Sequence, residues 1–184
     1  MPGSELLQLL IHGNQLKRTV RTGWVRRGIV NAEDVAAHSY GVAFTALVLA
    51  QTVARPLDLE KTLIMALLHD LPEGATTDIP TPAWRYLPQG IKVEVERGAM
   101  VDMMGDTSIG STLMTFWEEL HKKEGPEALL VLDADKLDMY LQAFMYEQQT
   151  GNSQLAEFWM TPHNFYFPEA QRIFDELVSL RNKE

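Results

Sequence analysis

The sequence predicts an all-α fold in a single domain spanning residues 1–184. Three observations carry this reading. Apolar residues recur at three- and four-residue spacing through several long segments, Gly and Pro fall singly between those segments, and no alternating run of β-branched residues bounded by turn residues appears. The chain's 184 residues, 46% of them hydrophobic, suffice to bury one continuous core and are few for two.

The clearest helix is expected over residues 32–54, where Val35, His38, Val42, Thr45 and Leu49 share a face. Asn31 is its expected N-cap, with Glu33 and Asp34 in the first turn, where the helix dipole favours negative charge. A second helix begins after Asp58 and turns Leu59, Leu63, Ala66 and Leu67 inward; Pro72 disfavours helical geometry at Leu71 and breaks the chain just beyond His69 and Asp70. Residues 76–84, with Pro80 and Pro82, read as an irregular loop entering a short helix, and residues 91–105 and 112–123 as further helices. Gly125 and Pro126 stop one helix and start the next, which runs over residues 126–150, gathers Leu129, Leu132, Leu137, Leu141 and Phe144, and is capped by Gly151. Residues 161–168 form an aromatic loop and residues 169–181 a last amphipathic helix.

Composition removes several function classes. With no cysteine there is no disulfide, thiolate metal site or thiol nucleophile, so any metal relies on imidazole and oxygen ligands. A net charge of −9 argues against a nucleic-acid polymer as partner, while leaving room for a small phosphate ester near the local basic group of Lys17, Arg18, Arg21, Arg26 and Arg27. The N-terminal residues lack the pattern of a secretory signal, and the longest apolar stretch, residues 42–50, is far too short to span a bilayer. A soluble cytoplasmic protein with no membrane partner is expected.

Of the five histidines, His38 lies on an apolar helix face and His69 closes the apolar run over residues 63–68, followed at once by Asp70. Singly, each reads as a hydrogen-bonded core imidazole. Asp135 changes the balance, because it sits in an otherwise core-forming helix and a buried carboxylate needs a cation or several donors. Asp133 points about 200° away from Asp135 on a helix, so it is expected in solvent or behind the site. Two imidazoles and two carboxylates suit one divalent cation, Mn²⁺, Co²⁺, Fe²⁺, Zn²⁺ or Mg²⁺, with open positions for water and a phosphate oxygen. Such an ion acidifies water and polarises a phosphoryl group, the two requirements of phosphomonoester hydrolysis.

His38, the doublet His69-Asp70 and the distant Asp135 resemble the H…HD…D signature of HD-domain phosphohydrolases. The resemblance extends over residues 16–149, through Leu16 to Trp24, Glu33, the run His69 to Glu73, Asp78 to Pro82, and Asp135-Lys136-Leu137. Together these are similar to the short HD hydrolases related to bacterial 5′-deoxynucleotidases. That resemblance implies a homodimer that hydrolyses deoxyribonucleoside 5′-monophosphates. It implies metal ligation by His38, His69, Asp70 and Asp135, and catalytic assistance by Glu73. It also implies a sugar-facing Trp24 that disfavours the 2′-hydroxyl, and substrate contacts from Asp78, Ile79, Pro80 and Thr81. One position departs: the family's bacterial members carry a phosphate-orienting Arg directly before the Trp, where this chain has Gly23, so Arg18 or Arg21 is expected to substitute. Two other readings stay open: an HD phosphohydrolase of another nucleotide or phosphate ester, and a non-catalytic helical ligand sensor. The aromatic residues Phe158, Trp159, Phe165, Tyr166 and Phe167 serve either an interface or the core.

Overall fold

The computed structural model describes residues 2–105, 107–160 and 163–183, with the side chains of 2, 3, 81 and 84 outside that description. The described residues are helical, with no strand beyond an isolated antiparallel bridge between Val20 and Asp34. Among the described residues ten α-helices follow one another: α1 (Pro2–Gln15), α2 (Thr22–Val25), α3 (Val35–Thr52), α4 (Leu59–Leu68), α5 (Glu73–Thr76), α6 (Thr81–Trp84), α7 (Ile91–Met104), α8 (Gly110–Lys122), α9 (Gly125–Thr150) and α10 (Pro168–Arg181). Leu16–Arg18 and Ser153–Trp159 are 3₁₀ turns. α1 and the second 3₁₀ turn were not expected from the sequence.

The start of α3 corrects an expectation. Asp34, not Asn31, is the N-cap: its carboxylate accepts from the Ala37 N–H at 2.8 Å. Residues before it are held extended instead, since Glu33 C=O accepts from Arg21 N–H and Val35 N–H donates to Thr19 C=O. This tertiary pairing takes residues 32–34 out of the helix and brings the basic segment against the start of α3. Asp58 caps α4 as expected, accepting from Lys61 N–H at 3.0 Å.

α9, the longest helix, is the axis of the fold, with α3, α4, α8 and α10 packed around it. The main core joins Val42, Ala46 and Leu49 of α3, Met65 and Ala66 of α4, and Leu130, Val131, Ala134, Leu137 and Tyr140 of α9 with Phe174 of α10. On α4 the buried stripe is Thr62, Met65, Ala66 and Leu68, and Leu67 faces outward; on α9 Leu141 is likewise exposed. Leu67 had been expected inside, and Leu141 in one group with Leu137 and Phe144. α9 is buried on several sides, so apolar spacing alone does not mark its inner face. Phe167 is buried, and Phe158, Trp159 and Phe165 pack partly buried against the cores, so those four complete the interior; Tyr166 is exposed.

No helix among the described residues is long and apolar enough to cross a membrane.

Candidate metal centre and substrate cleft

Three helices bring together the four side chains expected as ligands. His38 is one turn into α3, His69 and Asp70 sit where α4 ends, and Asp135 lies mid-way along α9. The α3–α4–α9 packing converts a separation of nearly one hundred residues into contact. His38 Nε2 is 3.3 Å from His69 Nε2, 3.3 Å from Asp135 Oδ1 and 3.6 Å from Asp70 Oδ2; His69 Nε2 is 3.2 Å from Asp70 Oδ2. His38 is fully buried.

The far side of each ring fixes which nitrogen faces the cluster. His69 Nδ1 lies 2.7 Å from the Ala66 carbonyl, and His38 Nδ1 lies 2.7 Å from Asp138 Oδ2. A carbonyl and a carboxylate only accept, so both Nδ1 atoms carry hydrogen. A neutral ring then directs its Nε2 lone pair at the other ring and at two carboxylates, which requires a proton or a cation among them. The donor set, two nitrogens and two carboxylates, fits a divalent cation. His38, His69 and Asp135 present ligand atoms within 4.8 Å of one another.

The electrostatics agree. Burial alone would lower the His69 pKa, but the Asp70 carboxylate beside it holds it up at about 9. Burial would raise Asp70, yet the His69 and His38 imidazoles keep it well below the usual carboxylate range. Asp135 is held down in the same way by Lys136, whose Nζ is 2.9 Å from its Oδ2, and by His38. Without a cation, the cluster retains protons where positive charge is needed.

Asp70 and Asp135 of this cluster line a cavity of about 210 Å³, with the two imidazoles behind them; Arg21, Thr22, Gly23, Trp24, Glu73, Asp78, Pro80, Lys92, Lys136, Met139 and Phe158 complete its walls. Glu73, at the start of α5, is buried, and that burial with Asp70 and Asp78 nearby pushes its carboxyl up to about 9. The Arg21 guanidinium sits between Glu33 Oε1 at 3.4 Å and Asp70 Oδ2 at 3.7 Å. Thr77 adopts φ 62° and ψ 165°, a strained conformation for a residue with a Cβ, and directs Asp78 to the cleft. Asp78 Oδ2 accepts from the Thr22 N–H and, at 3.0 Å, from its hydroxyl, joining the loop to the opening of α2.

The sequence profile of the HD domain family matches residues 13–171, most of the chain. The chain belongs to the HD domain family. It is 35% identical over 176 residues to a 5′-deoxynucleotidase, HDDC2, of Danio rerio, covering 94% of this chain and 86% of that one. The human protein of the same name is 33% identical over 181 residues, covering 96% and 86%. Among solved structures, a Pyrococcus horikoshii protein superposes with a TM-score of 0.80 at 34% identity, covering 97% of this chain and 99% of that one. A metal-dependent phosphohydrolase predicted in Magnetospirillum magnetotacticum shares the fold, with a TM-score of 0.68 at 20% identity, covering 97% and 93%.

In this HD domain the structure gathers His38, His69, Asp70 and Asp135, and sets Glu73, Arg21, Trp24, Asp78 and Pro80 around the same cavity. Trp24 is only 1% exposed: its ring packs on Tyr146 and Phe158, and its Nε1 donates to Glu33 Oε1 at 2.9 Å. Arg18 is not brought to the cavity; it is exposed and pairs with Gln15. Ile79 does not line the cavity, and the Thr81 side chain lies outside the described residues. Asp133 is fully buried rather than in solvent, accepting from the backbone N–H groups of Tyr166 and Phe167 at 3.0 and 2.8 Å.

Sequence reasoning missed Lys92, Lys136 and Asp138. Lys136 and Asp138 had a readable signal, since they stand one and three positions after Asp135. Lys92 had none: only the packing of α7 against α5 places it at the cleft.

Proposed function

We propose that this HD domain hydrolyses deoxyribonucleoside 5′-monophosphates to deoxynucleoside and phosphate. The carrying observation is the cluster of His38, His69, Asp70 and Asp135, whose two carboxylates open onto a cleft that also holds Glu73 and three cationic side chains, Arg21, Lys92 and Lys136. The similarity to proteins named 5′-deoxynucleotidase, over most of the chain, supports the choice of substrate.

His38, His69, Asp70 and Asp135 are the residues that would hold one divalent cation, of the series Mn²⁺, Co²⁺, Fe²⁺, Zn²⁺ and Mg²⁺. When bound, it makes a water acidic enough to attack at neutral pH and draws charge from the phosphoryl oxygens. Arg21, Lys92 and Lys136 meet the phosphate, answering the Arg absent at Gly23. Glu73, which burial keeps protonated at neutral pH, gives its proton to the 5′-oxygen as the P–O bond breaks and regains one from the attacking water. The rigidly packed Trp24, with Asp78 and Pro80, forms the walls against the sugar. The reading takes the protein as a cytoplasmic homodimer. Tyr40, Phe44 and Val48, exposed at four-residue steps on α3, offer apolar surface of the kind a second chain covers.

Phosphate release from the full ribo- and deoxyribonucleoside 5′-monophosphate series, with Mn²⁺, Co²⁺ or Mg²⁺, tests this. Release confined to the deoxy series and abolished in Asp70→Ala is expected. Release from another ester far exceeding that from every deoxynucleotide would overturn the substrate assignment.

A further inference from the structure

We propose that Asp138 is a positioning residue for the cation site, and that Gly41 lacks a side chain because Asp138 needs the space. The inference rests on the cation-holding part of the proposed function.

Asp138 Oδ2 receives the Nδ1 hydrogen of His38 at 2.7 Å, which fixes the tautomer and aims the Nε2 lone pair at His69, Asp70 and Asp135. Asp138 lies three residues after Asp135 on α9, so one helix face supplies a ligand and the group that orients another ligand. Carboxylates behind metal-binding imidazoles raise ligand basicity as well as fixing the ring.

An independent observation comes from α3. Gly41 is three residues beyond His38 in the interior of an 18-residue helix, where glycine is less stable than alanine. A Cβ there would fall on Asp138 Oδ1, with Cγ at 2.7 Å and Oδ2 at 3.1 Å. Any side chain at position 41 therefore displaces the carboxylate from His38.

Glu33, His38 and Asp138 also group closely enough to suggest a cation site of their own. The contacts speak against it. His38 Nδ1 cannot both donate to Asp138 and ligate, and Glu33 is engaged by the Trp24 Nε1–H and by Arg21.

The test is Mn²⁺ titration of the cation-stripped full chain by calorimetry, for the parent, Asp138→Ala, Asp138→Asn, Gly41→Ala and Gly41→Ala/Asp138→Ala, with melting curves recorded without cation. Asp138→Ala is expected to weaken Mn²⁺ binding roughly 10–100-fold with one ion per chain retained. Asp138→Asn, which keeps the shape, shows a smaller loss and an unchanged cation-free melting temperature. Gly41→Ala falls in the range of Asp138→Ala, and the double variant binds no more weakly than Asp138→Ala alone. Parent-like affinity in Asp138→Asn and Asp138→Ala, additive losses in the double variant, or a second Mn²⁺ that disappears with Asp138 would each overturn the inference. A parent that binds no Mn²⁺ would overturn this and the proposed function together. A parent that binds normally beside unaffected Asp138 variants would overturn this alone.

Discussion

His38 Nε2 and His69 Nε2 face each other at 3.3 Å, while each ring's Nδ1 is already engaged by a protein acceptor. Two lone pairs aimed together beside two carboxylates are stable only around positive charge. A cation that binds this arrangement and not the unfolded chain stabilises the fold by about 2.7 kcal/mol at one hundred times its Kd. For a chain of this size that is a rise of about 5–10 °C in Tm. Thermal melts of stripped protein with and without Mn²⁺ should show it, and Asp70→Ala should not respond. A parent Tm indifferent to every divalent ion would return His38 and His69 to ordinary core residues and favour the ligand-sensor reading.

Without cation, stability should fall as pH rises from about 6.5 to about 9. His69 has its pKa raised from 6.5 to about 9, so its contribution is full below 6.5 and lost as pH passes through about 9. Glu73 is raised from 4.5 to about 9: the folded state keeps a proton that the unfolded chain releases, which penalises folding increasingly from about pH 4.5 to about 9, so the decline begins with Glu73 alone and steepens above 6.5. In both cases the folded state binds more protons, so the slope has one sign. Glu73→Gln should make the decline shallower. Because a cation displaces these protons, Mn²⁺ binding at neutral pH should release protons, read as a dependence of calorimetric heat on buffer ionisation enthalpy. A flat melting profile over this range would contradict the electrostatic picture.

Asp133 and Asp135, two residues apart on α9, should respond to substitution in different ways. Asp133→Ala strands two backbone N–H groups in the interior, at about 1–3 kcal/mol each, and should lower Tm while leaving Mn²⁺ affinity unchanged. Asp135→Ala removes a ligand and should abolish the Mn²⁺-induced rise in Tm. The cation-free Tm of Asp135→Ala also falls, since the Lys136 and His38 contacts go with the carboxylate, so the response to Mn²⁺ is the reading that separates the two variants. Melting curves and titrations on the two variants decide the matter; equal loss of Mn²⁺ binding in both would contradict the assignment.

The same pair shows what was legible in the sequence. Helical periodicity showed that Asp133 and Asp135 cannot face the same site, and the resemblance to the H…HD…D signature picked out Asp135, which does face the histidines. It could not say what Asp133 faces, because its partners are backbone N–H groups some 30 residues away in an aromatic loop. Asn31 failed as the cap of α3 for a similar reason: residues 32–34 answer to the pairing with Thr19 and Arg21, which local propensity does not register. The clustered His38, His69, Asp70 and Asp135 were readable because His and Asp on apolar helix faces violate the core pattern. Lys92 was not, because on the outside of an amphipathic helix it looks like any solvated lysine.

Lys92 provides the sharpest test of how the cleft meets phosphate. Burial would lower its pKa, but Glu96, with an oxygen 3.3 Å from Nζ, and the nearby Asp70 and Glu73 raise it, so the ammonium stays charged at the cavity. Glu96 is itself buried and lies 3.7 Å from His121 Nε2, whose Nδ1 bonds the Trp117 carbonyl, so α7 and α8 together hold the lysine's partner in place. Lys92→Met keeps the apolar stem and removes the charge. If the ammonium meets the phosphate, kcat/KM for deoxynucleotides should fall about 10–100-fold, as expected for losing a charged hydrogen bond of ~1.5–3 kcal/mol. Inhibition by inorganic phosphate should weaken in parallel, and Mn²⁺ affinity should hold or rise, since a positive charge near the site has gone. Loss of activity with phosphate inhibition intact would instead place Lys92 on Glu73, tuning its proton affinity without touching substrate; the pH profile of kcat/KM would then shift, whereas loss of a phosphate contact lowers it at every pH.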